Sequence, residues 1–268
     1  MGTNMQESLP EVRRIAEEAA EAILEVYKSA EFRVAVKEDF SPLTQADLAS
    51  HRHIVAGLEQ LEPELPVLSE ESQGITYDER RHWDTFWLVD PLDGTKEFLR
   101  RNGEFTINIA LIRGHRPVLG VVHLPVSGQT YWAAEGQGAF RSANGETVRL
   151  QAAQTVGRPL KVVASRSHAS TPTVVFLDRM AREHDVAVVS RGSALKLCMV
   201  AEGEADLYPR LAPTMEWDTA AAQCVVEQAG GRVTTLGNEP LRYNKEDLLN
   251  PFFMVASPGA TPLWPAYL

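Results

Sequence analysis

The stretch that decides how this chain is interpreted is residues 90–95, Asp-Pro-Leu-Asp-Gly-Thr. It directly follows the apolar run FWLV at 86–89, which predicts a buried strand. Asp90 and Asp93 therefore stand at the exit of that strand. Because Pro91 forces the chain to turn there, both carboxylates can converge on a hard cation such as Mg²⁺.

The other residues of this stretch suggest a further oxygen ligand and a phosphate site. The carbonyl of Leu92, between the two aspartates, is a candidate third oxygen ligand. Gly94 and Thr95 would open a helix whose free N–H groups could hold a phosphate. A turn followed by a helix N-cap would also explain the pattern. However, its five fixed positions match by chance in a chain of this length only roughly once in 10⁴, which favours a functional interpretation.

The first half of the chain predicts two helices followed by an antiparallel meander. Ser8 and Glu11 have the spacing of a capping box at the start of an amphipathic helix. A second helix is expected to begin near Thr44 and to end before Pro63. Between residues 83 and 150 the pattern changes to short β-rich runs separated by turn residues. These runs are FWLV, TINIALI, PVLGVVHLPV, QTYWAAE and GAFR.

The second half alternates strands and helices, so the fold class is α+β followed by α/β. Strands are expected at 161–165, 185–190, 206–210 and 231–236, and helices at 173–183, 193–201 and 219–229. The polar stretch 141–158 is the expected boundary between an N-terminal domain, 1–150, and a C-terminal domain, 151–268.

The composition is that of a globular protein with an excess of acid. The 268 residues include 26 Lys and Arg against 36 Asp and Glu, a formal net charge of −10. Such a chain repels nucleic-acid polymers and anionic lipid. A small anion remains a candidate ligand, because a bound metal can invert the field of a carboxylate cluster. No apolar run is long enough for a membrane span.

The cysteines and the N-terminal residues indicate a cytoplasmic protein. The start, MGTNMQESLP, lacks the layout of a signal peptide. Cys198 and Cys224 lack metal-binding spacing and are expected to be reduced, structural thiols. Peripheral association with the inner membrane stays open, as does the choice between a monomer and a homodimer.

Three more acidic residues are candidates, each with a local alternative. Glu70 lies in the acidic run SEES at 69–72, and adjacent glutamates on a loop are usually solvated. Asp218 precedes an Ala-rich helix and could simply be its N-cap. The small side chains of that first turn would, however, let the helix end approach another backbone closely. Asp47 stands three residues after Thr44, again with capping-box spacing.

Taken together, these motifs resemble the inositol monophosphatase-like superfamily of lithium-sensitive phosphatases. The segments that carry the resemblance are SPLTQAD at 41–47, SEES at 69–72, DPLDGTKEF at 90–98 and WDTAAAQCVVEQAGG at 217–231. Within it, three segments resemble the CysQ branch of bacterial 3′(2′),5′-bisphosphate nucleotidases: KEFLRRNGEFTINIALI, VASRSH and GSALKLCMVAEGEADLYPR. The resemblance implies a layered αβαβα sandwich.

The resemblance also implies a metal centre with two or three Mg²⁺ ions. Its ligands would be Glu70, Asp90, the Leu92 carbonyl, Asp93 and Asp218. Thr95 and Asp47 match the family's hydroxyl-carboxylate pair that takes a proton from the attacking water, and Glu70 would orient that water.

The substrate side of the site is implied by the same comparison. The reacting phosphate would rest on Gly94 and Thr95, beside Asp93 and Asp218. The second phosphate and the ribose would lie near Ser193, Lys196 and Arg210. For these three, a helix N-cap, an exposed lysine and a strand-end arginine are the local alternatives. Ser165, Arg166 and His168 are candidates to line a base pocket.

The sequence therefore predicts an Mg²⁺-dependent phosphatase that acts on a small phosphate ester. The leading substrate is adenosine 3′,5′-bisphosphate, converted to AMP and phosphate, with 3′-phosphoadenylyl sulfate (PAPS) as a further candidate and a role in sulfur metabolism. An inositol monophosphatase or a fructose-1,6-bisphosphatase would use the same metal motifs. An inactive sensor of metal or phosphate is a third alternative, although all five carboxylates are present.

Overall fold

The computed structural model describes residues 5–29, 42–165 and 170–268, which form two sheets and the helices around them. Helices α1 to α7 span Met5–Lys28, Pro42–Leu58, Tyr77–Arg80, Thr95–Arg100, Thr171–Ala181, Leu195–Ala201 and Ala220–Gln228. Strands β1 to β7 span Val67–Ser69, Thr85–Asp93, Thr106–Arg113, Arg116–Leu124, Gln129–Ala134, Gly138–Ala143 and Glu146–Arg149. Strands β8 to β12 span Leu160–Ser165, Val186–Arg191, Leu207–Arg210, Arg232–Thr235 and Phe253–Ala256. A 3₁₀ helix, Trp264–Tyr267, follows.

The first sheet is the meander that the sequence predicts, with one added strand at each edge. Its order is β1-β2-β3-β4-β5-β6-β7, antiparallel from β2 onward, and β1 pairs parallel with β2. Strands β2 to β5 are buried along nearly their whole length because helices cover both faces. The pairing of β2 with β3 shifts register between Asp90 and Asp93, and such an irregularity redirects the side chains of the strand.

The second sheet has the order β11-β12-β10-β8-β9 and is mixed. Strands β10, β8 and β9 run parallel, as the predicted alternation of strands and helices requires. Strand β12 is antiparallel to both of its neighbours and was not among the predicted strands.

The layers confirm the αβαβα sandwich. Helices α1 and α2 cover the outer face of the first sheet, and α6 and α7 lie between the two sheets. Phe176 and Met180 of α5 pack against Leu160, Val162 and Leu207 on the far side of the second sheet. One buried cluster joins β4 and α7 through Val122 and Val225, so the two halves share a core. The division into domains at residue 150 stays a prediction.

The capping signals predicted for the first two helices are wrong, although α2 does begin near Thr44. Helix α1 begins at Met5, since Met5, Gln6 and Glu7 are good helix formers, and Ser8 is therefore not its N-cap. Helix α2 begins at Pro42, whose fixed φ suits a first helical turn, which places Thr44 inside the helix.

The two cysteines and the length of the apolar helices were also subjects of prediction. Both cysteines are buried and free, which agrees with structural thiols. Within the described ranges, no helix has the length and apolar content needed to cross a bilayer.

The two halves approach each other closely where α7 meets β4. A Cβ atom on Gly120 would lie 2.2 Å from the carbonyl oxygen of Ala221. The small residues of the first turn of α7 and the glycine opposite them therefore allow backbone to meet backbone, as the Ala-rich turn predicts.

We expect Gly120→Ala to lower the free energy of unfolding by about 3 kcal/mol or more, because backbone atoms must move to relieve the clash. Gly157→Ala is the matched control, since its Cβ would lie 3.6 Å from the nearest neighbour, the Pro159 oxygen. Urea unfolding of both variants measures the difference. Equal stability of the two would contradict the tight contact.

Candidate active site

Three carboxylates from the two halves of the chain converge at one point. Asp90 and Asp93 lie at the end of β2, and Asp218 lies just before α7. One oxygen of each lies within 4.8 Å of the others. Asp90 is buried and the other two are half-buried. A grouping of this kind, made of oxygen ligands alone, suits a hard divalent cation.

Backbone N–H groups hold the first two carboxylates in place. Oδ1 of Asp90 accepts a hydrogen bond from the amide of Leu92 at 3.0 Å. Oδ2 of Asp93 accepts one from the amide of Ala194 at 2.6 Å, which ties the end of β2 to the start of α6. The hydroxyl of Ser50 donates to the carbonyl of Pro91 at 2.8 Å and fixes the turn between them.

Asp218 is oriented from upstream rather than by the helix that follows it. Its Oδ2 accepts a hydrogen bond from the amide of Met215 at 2.9 Å. The N-cap of α7 is Thr219, without a side-chain capping bond, so the alternative prediction that Asp218 caps this helix is wrong. Its carboxylate is therefore available to the cluster.

Crowding of the carboxylates raises their pKa values. Burial, followed by repulsion from Asp93 and Glu70, raises the pKa of Asp90 well above its usual range. Burial and the charge of Asp93 raise the pKa of Asp218 to about 7. Burial also raises the pKa of Asp93, although Lys196 and the Ala194 amide partly offset it. Protein cations therefore offset only part of the negative charge of these carboxylates. A divalent cation would supply the remaining positive charge.

The cluster opens into a cavity of about 300 Å³. The predicted site residues on its wall are Glu70, Asp90, Leu92, Asp93, Gly94, Thr95, Ser193, Lys196, Arg210 and Asp218. Glu70 is one of them, and its pKa is raised by burial and by the charges of Asp93 and Glu71. The structure therefore brings together ten of the eleven residues that the sequence nominated for the metal, proton-transfer and substrate roles.

Asp47 is the exception, because it is not among the residues that line this cavity. Its Oδ1 is buried without a hydrogen-bond partner. Burial, with Glu71 and then Glu70 nearby, raises the pKa of Asp47 to about 8. Thr95 is exposed at the cavity, and no hydrogen bond joins these two described residues. The proton-accepting pair that they would form stays a prediction.

The cavity wall also carries a buried cation. Lys196 is 6% exposed, so the alternative of an exposed lysine is wrong. Its Nζ donates to the carbonyl of Ser193 at 2.6 Å and lies 5.7 Å from the ring centroid of Tyr208. Burial lowers the pKa of Lys196 to about 8, against the attraction of Asp93. An anion in the cavity would favour the charged ammonium.

Ser193 and Arg210 also present polar atoms that lack protein partners. Ser193 has a left-handed φ of 45°, and its hydroxyl is buried without a hydrogen bond. It does not cap α6, whose N-cap is Ala194. Arg210 ends β10, donates from Nη2 to the carbonyl of Pro213 at 2.6 Å, and keeps a buried Nε without a partner.

The sequence missed several residues of the cavity wall. These are Lys96, Glu97, Gly192, Leu197, Tyr208, Thr214, Thr219 and Phe253. Strand periodicity could have identified Tyr208, because it stands two residues before Arg210 and therefore shares its face of β10. Of the predicted base pocket, Arg166 and His168 lie outside the described residues, and so does the side chain of Ser165.

Comparison with known proteins decides the family. A sequence profile described as the inositol monophosphatase family matches residues 4–259. The chain belongs to the inositol monophosphatase family. The resemblance inferred from the acidic motifs is thereby confirmed.

Relatives within this family carry a specific name. The chain is 47% identical over 250 residues to the 3′(2′),5′-bisphosphate nucleotidase CysQ of Escherichia coli strain K12, a match that covers 92% of this chain and 99% of the relative. A crystal structure of CysQ from Bacteroides thetaiotaomicron superimposes with a TM-score of 0.88 at 44% identity, over 95% of this chain and 98% of that one. An inositol monophosphatase from Zymomonas mobilis, 24% identical with a TM-score of 0.75 over 95% and 94% of the two chains, shares the fold.

We expect Mg²⁺ to stabilise the protein more strongly above pH 7 than below it. Because the folded pKa of Asp218 lies about 7, above its usual 3.8, the metal-free protein loses stability as pH rises between these values. Mg²⁺ offsets this loss once the carboxylates are ionised. At a concentration about 100-fold above its dissociation constant, the expected rise in Tm at high pH is about 5–10 °C.

Thermal melts with and without Mg²⁺ at mildly acidic and mildly alkaline pH measure the effect. Asp218→Asn is the control, since it removes one ligand and one source of repulsion. This variant should be less sensitive to pH without metal and should gain little from Mg²⁺. A Tm rise in the variant equal to that of the unaltered protein would exclude Asp218 as a ligand.

Proposed function

We propose that this chain is an Mg²⁺-dependent phosphomonoester hydrolase that converts adenosine 3′,5′-bisphosphate to AMP and phosphate, with PAPS as a further substrate. One observation carries the proposal: the carboxylate cluster and the buried Lys196 face the same cavity of about 300 Å³. The carboxylate cluster, with a bound cation, would hold one phosphate, and the fixed charge of Lys196 would hold a second. This arrangement suits a substrate with two phosphates. The CysQ relatives support the nucleotide assignment.

In this proposal Glu70, Asp90, the Leu92 carbonyl, Asp93 and Asp218 hold two or three Mg²⁺ ions. Bound Mg²⁺ lowers the pKa of a coordinated water and neutralises charge on the phosphoryl oxygens. The raised pKa values of these carboxylates support a role as ligands, because ionised oxygens packed this closely need a cation.

The remaining residues would handle the proton and the phosphates. The raised pKa of Asp47, about 8, suits a base that accepts a proton through the Thr95 hydroxyl, with Glu70 orienting the water. The amides of Gly94 and Thr95 would hold the reacting phosphate beside Asp93 and Asp218. Lys196, Arg210 and the Ser193 hydroxyl would bind the second phosphate and the ribose, which would give partners to Oγ of Ser193 and Nε of Arg210.

An inositol monophosphatase or a fructose-1,6-bisphosphatase is the alternative, since the carboxylates contact only the phosphoryl group. The buried Lys196 and the Arg210 beside it favour a substrate with two phosphates over inositol monophosphate. A cytoplasmic location and a monomeric or homodimeric state stay predictions.

A phosphate-release assay with Mg²⁺ tests the substrate. Adenosine 3′,5′-bisphosphate should be turned over with a kcat/KM at least about 100-fold above those of inositol 1-phosphate and fructose 1,6-bisphosphate, and PAPS should also react. Millimolar lithium should inhibit by replacing one hard cation. Turnover of inositol 1-phosphate without turnover of the bisphosphate would favour the alternative, and Asp93→Asn with full activity would favour a metal-independent role.

We expect Lys196→Met to change specificity rather than to abolish turnover. Loss of its charge should lower kcat/KM for adenosine 3′,5′-bisphosphate by about 10- to 100-fold, or about 1.4–2.8 kcal/mol. Adenosine 3′-phosphate, which lacks the second phosphate, should be affected much less. Steady-state kinetics of the two substrates give the ratio, and an equal loss for both would place Lys196 at the reacting phosphate instead.

A further inference from the structure

A buried glutamate anchors the segment that carries Asp218. Glu216, two residues earlier, is fully buried. Its Oε2 accepts from the amide of Asn244 at 2.6 Å, and its Oε1 accepts from the amide of Lys245 at 3.1 Å and from the Lys245 ammonium. Its carbonyl accepts from the amide of Ala220 at 3.2 Å, at the start of α7. The residues on either side of Asp218 are therefore fixed from the segment 244–245.

A buried arginine from the N-terminal half of the chain binds the segment 244–246. Arg80 ends α3 and is 4% exposed. Its guanidinium donates to Oδ1 of Asn244 at 2.9 Å, to the carbonyl of Lys245 at 2.5 Å and to the carbonyl of Glu246 at 2.7 Å. Asn244 returns a bond from Nδ2 to the carbonyl of Arg80 at 2.7 Å and has a left-handed φ of 64°.

The segment 244–246 therefore lies between a buried cation and a buried anion. Its carbonyls point to Arg80 and its amides point to Glu216, so each charge meets the end of the peptide dipole that stabilises it. Hydrogen bonds to charged groups are about twice as strong as neutral ones, and buried networks of this kind rigidify the backbone. Loss of the fork of Arg80 would leave several carbonyls unsatisfied.

The following residues extend the same connection to Met215. The amide of Glu216 donates to the carbonyl of Leu248 at 2.9 Å, and Met215 pairs with Leu249 in an antiparallel bridge. Asn250 donates from Nδ2 to the carbonyl of Met215 at 2.8 Å. Since the Met215 amide is the group that orients the Asp218 carboxylate, its position depends on the segment that Arg80 holds.

We propose that Arg80 is a positioning residue that sets Asp218 against Asp90 and Asp93 through segment 244–246 and Glu216, without touching the metal centre. The inference rests on the metal centre of the proposed function. Residues that orient metal ligands typically change metal affinity by 10- to 100-fold when replaced. Arg80 belongs to the half of the chain that supplies Asp90 and Asp93, and it positions Asp218 of the other half. It therefore fixes one half of the chain against the other.

The test is Mg²⁺ binding by Arg80→Lys, measured by isothermal titration calorimetry well below the Tm of each variant. Lysine keeps the charge and most of the stem but replaces the planar fork, whose two terminal nitrogens share the three acceptors, with a single ammonium nitrogen. The Mg²⁺ dissociation constant should rise by about tenfold or more. Arg179→Lys is the matched control: Arg179 also donates to main-chain carbonyls, those of Tyr267 and Leu268, and its replacement should leave Mg²⁺ binding unchanged.

A Mg²⁺ dissociation constant of Arg80→Lys within twofold of that of the unaltered protein would overturn the inference, whatever the stability of the variant. If this variant does not fold, Lys245→Met decides. It removes the ammonium bonds to Glu216 and to the carbonyl of Arg242, keeps the amide bond to Glu216, and should raise the dissociation constant by about threefold. An unchanged constant there would also overturn it. Failure of the unaltered protein to bind Mg²⁺ would instead reject the metal centre of the proposed function, because no substrate enters this experiment.

Discussion

The repulsion among Asp90, Asp93 and Asp218 is the constraint on which the rest of the structure depends. Folding brings these like charges together from distant parts of the chain and partly removes them from water, and their raised pKa values record the cost. Oriented N–H groups hold them in place, and the charge of the buried Lys196 partly offsets the repulsion at Asp93. The arrangement is unfavourable for the protein alone, and in the proposed function a bound cation would make it favourable.

The layered fold is what imposes this arrangement. The first sheet supplies Asp90 and Asp93 where the register of β2 shifts, and the middle helical layer brings Asp218 and Lys196 to the same cavity. Two connections hold the layers in register: the backbone contact between Gly120 and Ala221, and the network from Arg80 to Glu216. Both cross from one half of the chain to the other, so the position of each carboxylate depends on residues far from it in sequence.

Local patterns in the sequence predicted the meander and the alternation of strands and helices in the second half. The layered sandwich and most of the site residues were predicted from the resemblance to the family. Apolar periodicity identifies β2 and β8, and the acidic motifs after β2 and before α7 identify Asp90, Asp93 and Asp218. The sequence failed where long-range packing decides. For Lys196 a substrate contact and an exposed lysine were the alternatives, and only the structure shows that it is buried. No local signal marks Arg80 or Glu216 as buried partners. Two capping signals were misleading. Good helix formers extend α1 upstream of Ser8, and Pro42 extends α2 upstream of Thr44.

The covering of the first sheet by α7 has a consequence for biosynthesis. The strands of that sheet end at Arg149, yet the helix that covers their inner face is completed only at Gln228. A ribosome must therefore add a further large part of the chain before the apolar face of the meander is shielded. During that interval the nascent chain exposes apolar surface that is buried in the folded protein. Chaperones bind such surface, and its exposure promotes aggregation. Truncation before α7 would make this exposure permanent.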